Sequence, residues 1–379
     1  MPNRSLRKLA VPVLILVLIG LGACVLFQQP RFGASPDGAR QRRIEHSPHY
    51  SAGEFHNLMP TKVLAEGQGT FSILMHDALN PVDGLKPDSP LPAVKIDLKA
   101  LDANQDLIVW LGHSSFYVQI GGKRILIDPV LSAYASPFSF SIPAFAGSTI
   151  YGVDDFPPID LLLITHDHWD HLDYDTLTAL RERVARVLVP LGVGAHLVRW
   201  NYFERDIQEG DWYEHFVLAP GVSVHLVPAR HYSGRLFKRN QTLWTGYVLE
   251  TPTRRLLFSG DTGYGSHFKE IAARFGGFDL VALDMGQYDP RWPAIHMTPE
   301  QASQAAEDLQ AKMLMPAHVG RFSIARHTWS DPLDRIARIS QQRAYRLVTP
   351  PIGAAMRLDE PERISQPWWQ LNARSNAAR

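Results

Sequence analysis

The chain has 379 residues, with 38 basic and 38 acidic side chains and 45% hydrophobic residues. This suits a globular enzyme of one large or two ordinary domains, and zero formal net charge leaves no basic excess for the phosphates of a nucleic acid. The single cysteine, Cys24, allows no disulfide within the chain and so reveals no redox compartment.

Residues 10–27 form an uncharged apolar segment behind Arg4, Arg7 and Lys8, long enough to cross a bilayer or to act as a signal sequence. An uncleaved signal anchor over residues 1–27 is expected, holding the chain at the inner membrane of a bacterial cell envelope with its catalytic domain periplasmic. The residues Leu21, Gly22, Ala23 and Cys24 resemble a lipobox, which gives the alternative of a lipoprotein cleaved before Cys24. Val25, Leu26 and Phe27 continue the apolar run and favour the anchor. Residues 28–100 are rich in Pro, Gly and charge with little periodicity, and read as a linker and irregular region lying over a catalytic domain of residues 101–360. A tail, 361–379, follows.

Strand signals begin at 107–111 and 115–120, and Gly121 with Gly122 turns the latter into a strand at 124–128 that ends on Asp128. Residues 132–158, rich in Pro, Ser, Ala and Phe, make a loop long enough to wall a pocket. The apolar run 159–165 reads as a buried strand that runs out into His166, His168, Asp170 and His171, spaced H-x-H-x-D-H. Four such side chains cannot all point one way from a strand or helix. A tight loop can aim two histidines at one metal and the Asp-His pair at a second.

A helix is expected at 174–186 and a strand at 187–190. Strands at 222–228, 243–250 and 255–259 deliver His231 and the sequence Gly260, Asp261, Thr262, Gly263. A helix at 267–275, a strand at 279–284, a helix at 298–310 behind a Thr-Pro-Glu start, and a strand at 313–318 ending on His318 complete the series. Each strong ligand candidate follows a strand, which is how a rigid scaffold gathers a site from loops. Strands flanked by helices in both halves suit an α/β sandwich of two sheets with helices outside. His196, His215 and His225 have no partner motif and read as structural.

Asp128, the H-x-H-x-D-H loop, His231, Asp261 and His318, in this order and each at a strand end, resemble the five motifs of the metallo-β-lactamase superfamily. The resemblance implies an αββα sandwich, two mixed β-sheets flanked by helices, with two Zn2+ per chain in the groove at the sheet edges. It implies that His166, His168 and His231 bind one ion, that Asp170, His171 and His318 bind the other, and that Asp261 bridges them. Imidazole and carboxylate donors suit zinc or a similar borderline ion. Asp128 resembles the family's first-motif aspartate, which orients the loop histidines instead of binding metal, and His113 is expected to orient or pack beside the site. Such a pair of ions would hold a hydroxide, oriented by Asp170 or Asp261, for in-line attack.

Within the superfamily, W-L-G-H-S-S at 110–115, Asp128 with Pro129, A-S-P at 135–137, T-H-D-H-W-D-H-L-D-Y at 165–174, P-A-R-H at 228–231, G-D-T-G-Y at 260–264, and Y-D-P-R-W at 288–292 followed by His296 are together similar to N-acyl-phosphatidylethanolamine-hydrolysing phospholipase D and its bacterial relatives. The likeness covers roughly residues 50–355 and implies hydrolysis of a phospholipid phosphodiester to phosphatidic acid and an alcohol. Tyr232 stands where the pattern has Trp. His296 is expected to protonate the leaving alkoxide or to bind phosphate, with a surface-loop histidine as the alternative. Tyr288, Arg291 and Trp292 are expected to line the lipid path, Arg291 as a phosphate fork, with ordinary packing the alternative for the two aromatics. Trp368 and Trp369 either meet a membrane interface or cap a core edge.

A phospholipid or other small phosphodiester is thus the expected substrate, with no nucleic acid as partner and a homodimer left open. Two rivals share the motifs: another hydrolase of the fold, such as a lactonase, a different phosphodiesterase or a β-lactamase, and a membrane-tethered envelope protein without catalysis.

Overall fold

The computed structural model describes residues 17–18, 20–235, 238–360 and 367–370. Among these residues fourteen strands form two seven-stranded sheets. The first takes β1 (Leu107–Trp110), β2 (Phe116–Ile120), β3 (Lys123–Ile127), β4 (Leu161–Leu163), β5 (Val187–Pro190) and β6 (Ile207–Gly210). The second takes β7 (His215–Ala219), β8 (Val222–Val227), β9 (Gly246–Glu250), β10 (Arg255–Phe258), β11 (Leu280–Asp284), β12 (Met313–Ala317) and β13 (Arg346–Leu347). A last strand, β14 (Ala355–Arg357), returns to the first sheet beside β1.

Both sheets are mixed and built alike. Pairing is antiparallel from β14 through β1 and β2 to β3, then parallel on to β6. It is antiparallel from β7 to β10, then parallel on to β13. At the β2–β3 hairpin Gly121 and Gly122 have φ of 56° and 72°, the conformation that a two-residue turn between twisted strands requires.

Both faces of these strands are covered, which is why they read as apolar runs and not as alternating ones. Ile108, Trp110, Phe116 and Val118 point between the sheets, where Phe116 meets Phe258 at 5.0 Å between ring centroids. Leu107, Val109, Tyr117 and Leu126 point the other way, into a second cluster with Leu177, Leu180 and Leu197.

Helices α1 (Gly38–Glu45) and α2 (Thr70–Leu79) and a short hairpin of Tyr50–Ser51 with Glu54–Phe55 lie in the region expected to be irregular. Each of these helices buries a single residue, Ile44 or Ile73, so neither carries the apolar stripe that marks a core helix. Helices α3 (Tyr174–Leu180), α4 (Gly194–Arg199), α5 (His267–Phe275), α6 (Pro299–Asp308) and α7 (Asp331–Ser340) cross between parallel strands. The expected 174–186 helix stops at Leu180 and tightens into a 3-10 turn, Arg181–Arg183. Thr298 caps α6, accepting from the backbone N–H of Gln301. The strands β6, β7, β13 and β14 and the helices α4 and α7 had no counterpart in the sequence reading; the four strands are short or lie at sheet edges.

Of the apolar segment 10–27, residues 10–16 and 19 lie outside the described residues; 17–18 and 20–27 are helical, with Val17, Leu18, Leu21 and Val25 exposed. Among the described residues no helix is long and apolar enough to cross a membrane. Residues 361–366 and 371–379 of the tail also lie outside the described residues.

Trp368 and Trp369 are buried. Trp368 lies 6.0 Å from the Trp110 ring, and Trp369 Nε1 donates to Asp334 Oδ1 at 2.9 Å. They cap a core edge, and the alternative of two indoles dipping into a membrane is overturned because neither ring is free to do so. Trp368→Ala is expected to lower unfolding free energy by about 3–5 kcal/mol in a urea titration. A loss below about 1 kcal/mol would contradict this packing role.

Candidate metal centre

The residues expected to bind metal converge where strands of both sheets end. His166, His168, Asp170 and His171 follow β4, His231 follows β8, Asp261 follows β10, and His318 follows β12. His168 Nδ1 lies 2.8 Å from His166 Nε2 and 3.2 Å from His231 Nε2, and Asp261 Oδ2 lies 3.7 Å from both of those Nε2 atoms. On its other side Asp261 Oδ1 is 3.1 Å from His171 Nε2, and Asp261 Oδ2 is 3.4 Å from His318 Nε2. Asp170 Oδ2 completes that side, 3.1 Å from His318 Nε2 and 3.6 Å from His171 Nε2. Asp261 thus faces two donor sets.

These atoms fit a divalent metal. Three imidazole nitrogens crowd together on one side, and His171 Nε2 and Asp261 Oδ1 on the other are buried without a hydrogen-bond partner. Buried polar atoms left so cost about 1–3 kcal/mol each, and a cation among them satisfies them all.

The outer nitrogens show how the rings are aimed. Asp128 accepts from the Thr165 backbone N–H at 2.7 Å, from Thr165 Oγ1 at 2.6 Å and from His171 Nδ1 at 2.7 Å, so it fixes the start of the loop and turns His171 Nε2 inward. His231 Nδ1 donates to the Ile295 carbonyl at 3.1 Å, and His318 Nδ1 lies 3.3 Å from Asp284 Oδ1. His113 Nε2 lies 2.9 Å from Asp170 Oδ2, and His113 stands with Asp170, His171 and His318 in one group of potential metal ligands.

The backbone is bent to the same end. His113, Asp128 and His318 have φ of 55°, 43° and 63°, a left-handed conformation that costs non-glycine residues about 1–3 kcal/mol each and collects at functional sites. Gly263 permits a close approach: a Cβ there would lie 1.9 Å from the Ala294 carbonyl, next to the Ile295 that aims His231.

Electrostatics divide the rings into two kinds. Burial and the neighbouring rings of His171 and His168 hold His166 well below the usual imidazole range; burial first, with adjacent imidazoles adding to it, draws His168 and His113 down to about 4 and His231 well below the usual range. At His171 and His318 burial acts in the same sense but is outweighed, first by the Asp261 carboxylate; His171 rises well above its usual value and His318 to about 10. Asp170 and Asp261 are held well below the carboxylate range, against burial, chiefly by His171. The two buried carboxylates and the imidazoles of His171 and His318 thus hold one another in their charged forms.

His296 belongs to the same centre and is no surface histidine. Its ring lies 5.0 Å from that of His231 and 4.9 Å from that of His318, and its Nδ1 bonds to Asp284 Oδ2 at 2.8 Å. Asp284 also takes the Thr262 backbone N–H at 3.0 Å and, with Asp261, His296 and His318, forms a third group of potential metal ligands. The sequence reading missed Asp284. The available signal was a carboxylate closing a predicted strand, the position at which the other candidate ligands stand.

The residues expected on the substrate path are differently engaged. Arg291 spends its fork on Asp289, Nε to Oδ1 at 2.7 Å and Nη2 to Oδ2 at 2.6 Å, and its Nη1 on Asp77 at 2.6 Å. The phosphate fork expected of Arg291 is therefore occupied by carboxylates. Tyr288 stacks on His327 at 4.4 Å and bonds to Asp331 and Arg335, while Trp292 Nε1 donates to the Gln287 carbonyl at 2.8 Å.

Residues 123–319 match the family described as Beta-lactamase superfamily domain. An uncharacterized protein of Mycobacterium tuberculosis is 36% identical over 340 residues, covering 88% of this chain and 91% of the relative. N-acyl-phosphatidylethanolamine-hydrolyzing phospholipase D 1 of Caenorhabditis elegans is 28% identical, covering 69% of this chain and 78% of that one. Among solved structures, a metallo hydrolase of Ignicoccus hospitalis superposes with a TM-score of 0.52 at 20% identity, over 66% of this chain and 97% of the other, and shares the fold. The chain belongs to the metallo-β-lactamase superfamily, as a metal-dependent hydrolase.

Because Asp128 aims ligands without touching the centre, Asp128→Asn is expected to leave the protein folded and to weaken metal binding about 10–100-fold, measured by competition with a chromophoric chelator. Unchanged affinity would remove Asp128 from the site.

Proposed function

We propose that the chain is a membrane-associated, zinc-dependent phosphodiesterase of phospholipase D type that hydrolyses N-acylated phosphatidylethanolamine or a closely similar phospholipid. The observation that carries this reading is Asp261 set between two imidazole-rich donor groups, with the Asp284–His296 pair beside them. The name of the Caenorhabditis elegans relative supplies the substrate class. The apolar segment 10–27 would keep the enzyme at the lipid, as an inner-membrane anchor facing the periplasm or, through Cys24, as a lipoprotein.

Bound metal, taken here as two Zn2+, would supply water activation at neutral pH and charge stabilisation at the phosphoryl oxygens. His166, His168 and His231 would hold one, Asp170, His171 and His318 the other, and Asp261 both. The chain does the rest. Asp128, Asp284 and the Ile295 carbonyl fix the ring tautomers, and the Asp170 and Asp261 carboxylates orient the attacking water. His296, with Nδ1 held by Asp284, presents Nε2 to protonate the leaving alkoxide. Tyr288 and Trp292 would flank the lipid path. Arg291, committed to Asp289 and Asp77, favours as a second reading a lactonase or other hydrolase that needs no phosphate fork.

The test is turnover by the zinc-loaded full chain on N-acylated phosphatidylethanolamine and on bis(p-nitrophenyl) phosphate. Zinc-dependent release of phosphatidic acid, abolished in His168→Ala and by chelation, is expected. Cleavage of the soluble diester alone would sink the lipid assignment, and cleavage of neither with metal bound would move lactones ahead. His296→Ala is expected to keep its metal and lose turnover about 10²-fold; near-wild-type turnover would remove His296 from the reaction.

A further inference from the structure

Helix α2 turns its apolar side to solvent. Phe71, Leu74, Met75 and Leu79, spaced i, i+3, i+4 and i+8, are 77%, 64%, 45% and 73% exposed, while Ile73 is buried. The charge of the helix faces inward instead: Asp77 is gripped by Arg291 Nη1 at 2.6 Å and Arg326 Nη1 at 3.0 Å, and Arg326 also reaches the Asn80 carbonyl. These ion pairs press the polar side onto the protein and hold the four apolar side chains in water. Contiguous exposed apolar surface of this kind marks an interaction site.

The place of the helix says what covers it. Arg291 lies in the loop that carries His296, and Arg326 follows His318, so α2 is mounted on two loops of the metal centre. A third loop of that centre carries a second apolar set. Phe32 packs edge-on against Trp169 of the histidine loop at 5.5 Å and against Phe138 at 6.4 Å, and Phe138 stacks on the exposed Phe140. The apolar helical residues Leu18, Leu21 and Val25 lead into Phe32 from the segment whose length matches a bilayer. The exposed α2 face is rich in flexible apolar side chains, and its one carboxylate, Asp77, is paired with arginines on the inner side, which suits a lipid interface.

We propose that α2 inserts Phe71, Leu74, Met75 and Leu79 into the surface of a phospholipid bilayer, so that the metal centre meets its substrate at the membrane. This rests on the phospholipid reading above for its purpose, but not for its test. In the full chain carrying Cys24→Ser, the environment-sensitive dye NBD is attached to Leu74→Cys or, as a reference on α5, to Lys269→Cys. On addition of phosphatidylethanolamine–phosphatidylcholine vesicles, emission from position 74 shifts to the blue and that from position 269 does not. An unshifted emission at 74 overturns the proposal. Replacing all four apolar residues by Ser raises KM on vesicle substrate about tenfold or more while kcat on bis(p-nitrophenyl) phosphate, which also reports folding, stays at the wild-type level; an unchanged vesicle KM counts against docking. A blue shift at 74 in a chain that hydrolyses no phospholipid would refute the substrate reading and sustain the docking.

Discussion

The carboxylate of Asp261 lies out of reach of bulk water, within 3.1–3.7 Å of His166, His171, His231 and His318. A buried charge is tolerated only when it is paired, and the pairing here draws on both sheets at once. The first sheet sends the histidine loop from β4, and the second sends His231, Asp261 and His318 from β8, β10 and β12. The sandwich therefore has to close correctly for the charge to be satisfied, and the site in turn ties the two sheet edges together.

The same edge is stiffened around the centre. The His113 backbone N–H bonds to the Val319 carbonyl at 2.9 Å and the His318 N–H to the His113 carbonyl at 3.1 Å, joining the strained turns after β1 and β12. Arg321, nearly fully buried, donates to the carbonyls of Leu111, Ser148 and Ser132. Two of those carbonyls, Ser132 and Ser148, belong to the long loop over 132–158, so Arg321 ties that loop to the turn after β1. Donors fixed before any cation arrives need little reorganisation when it binds, which is the physical basis of preorganised sites.

The cluster of potential ligands was legible in the sequence because its chemistry is unusual and its position is not: H-x-H-x-D-H after an apolar run, then three more donors at strand ends. The central strands were legible because burial on both faces leaves few polar interruptions, Gln119 in β2 among them. Asp284 was hidden because a lone carboxylate at a strand end resembles any other, and its meaning comes only from His296 and His318, distant in sequence but adjacent in space. Arg291 was legible as a cation but not as a paired one, since Asp77, more than two hundred residues away, takes part of it. Helices α1 and α2 escaped notice because tertiary ion pairs, not a core-facing apolar stripe, orient them. Edge strands such as β7, with His215 and Val217 exposed on one face, are not buried on both sides and lose the continuous apolar signature.

The central claim, that Asp261 is shared by two cation sites, is tested most directly by a crystal structure of the zinc-loaded protein with anomalous data at the zinc edge. The account predicts two anomalous peaks flanking Asp261, one among His166, His168 and His231 and the other among Asp170, His171 and His318. A single peak at saturating zinc, or metal bound away from Asp261, would contradict it.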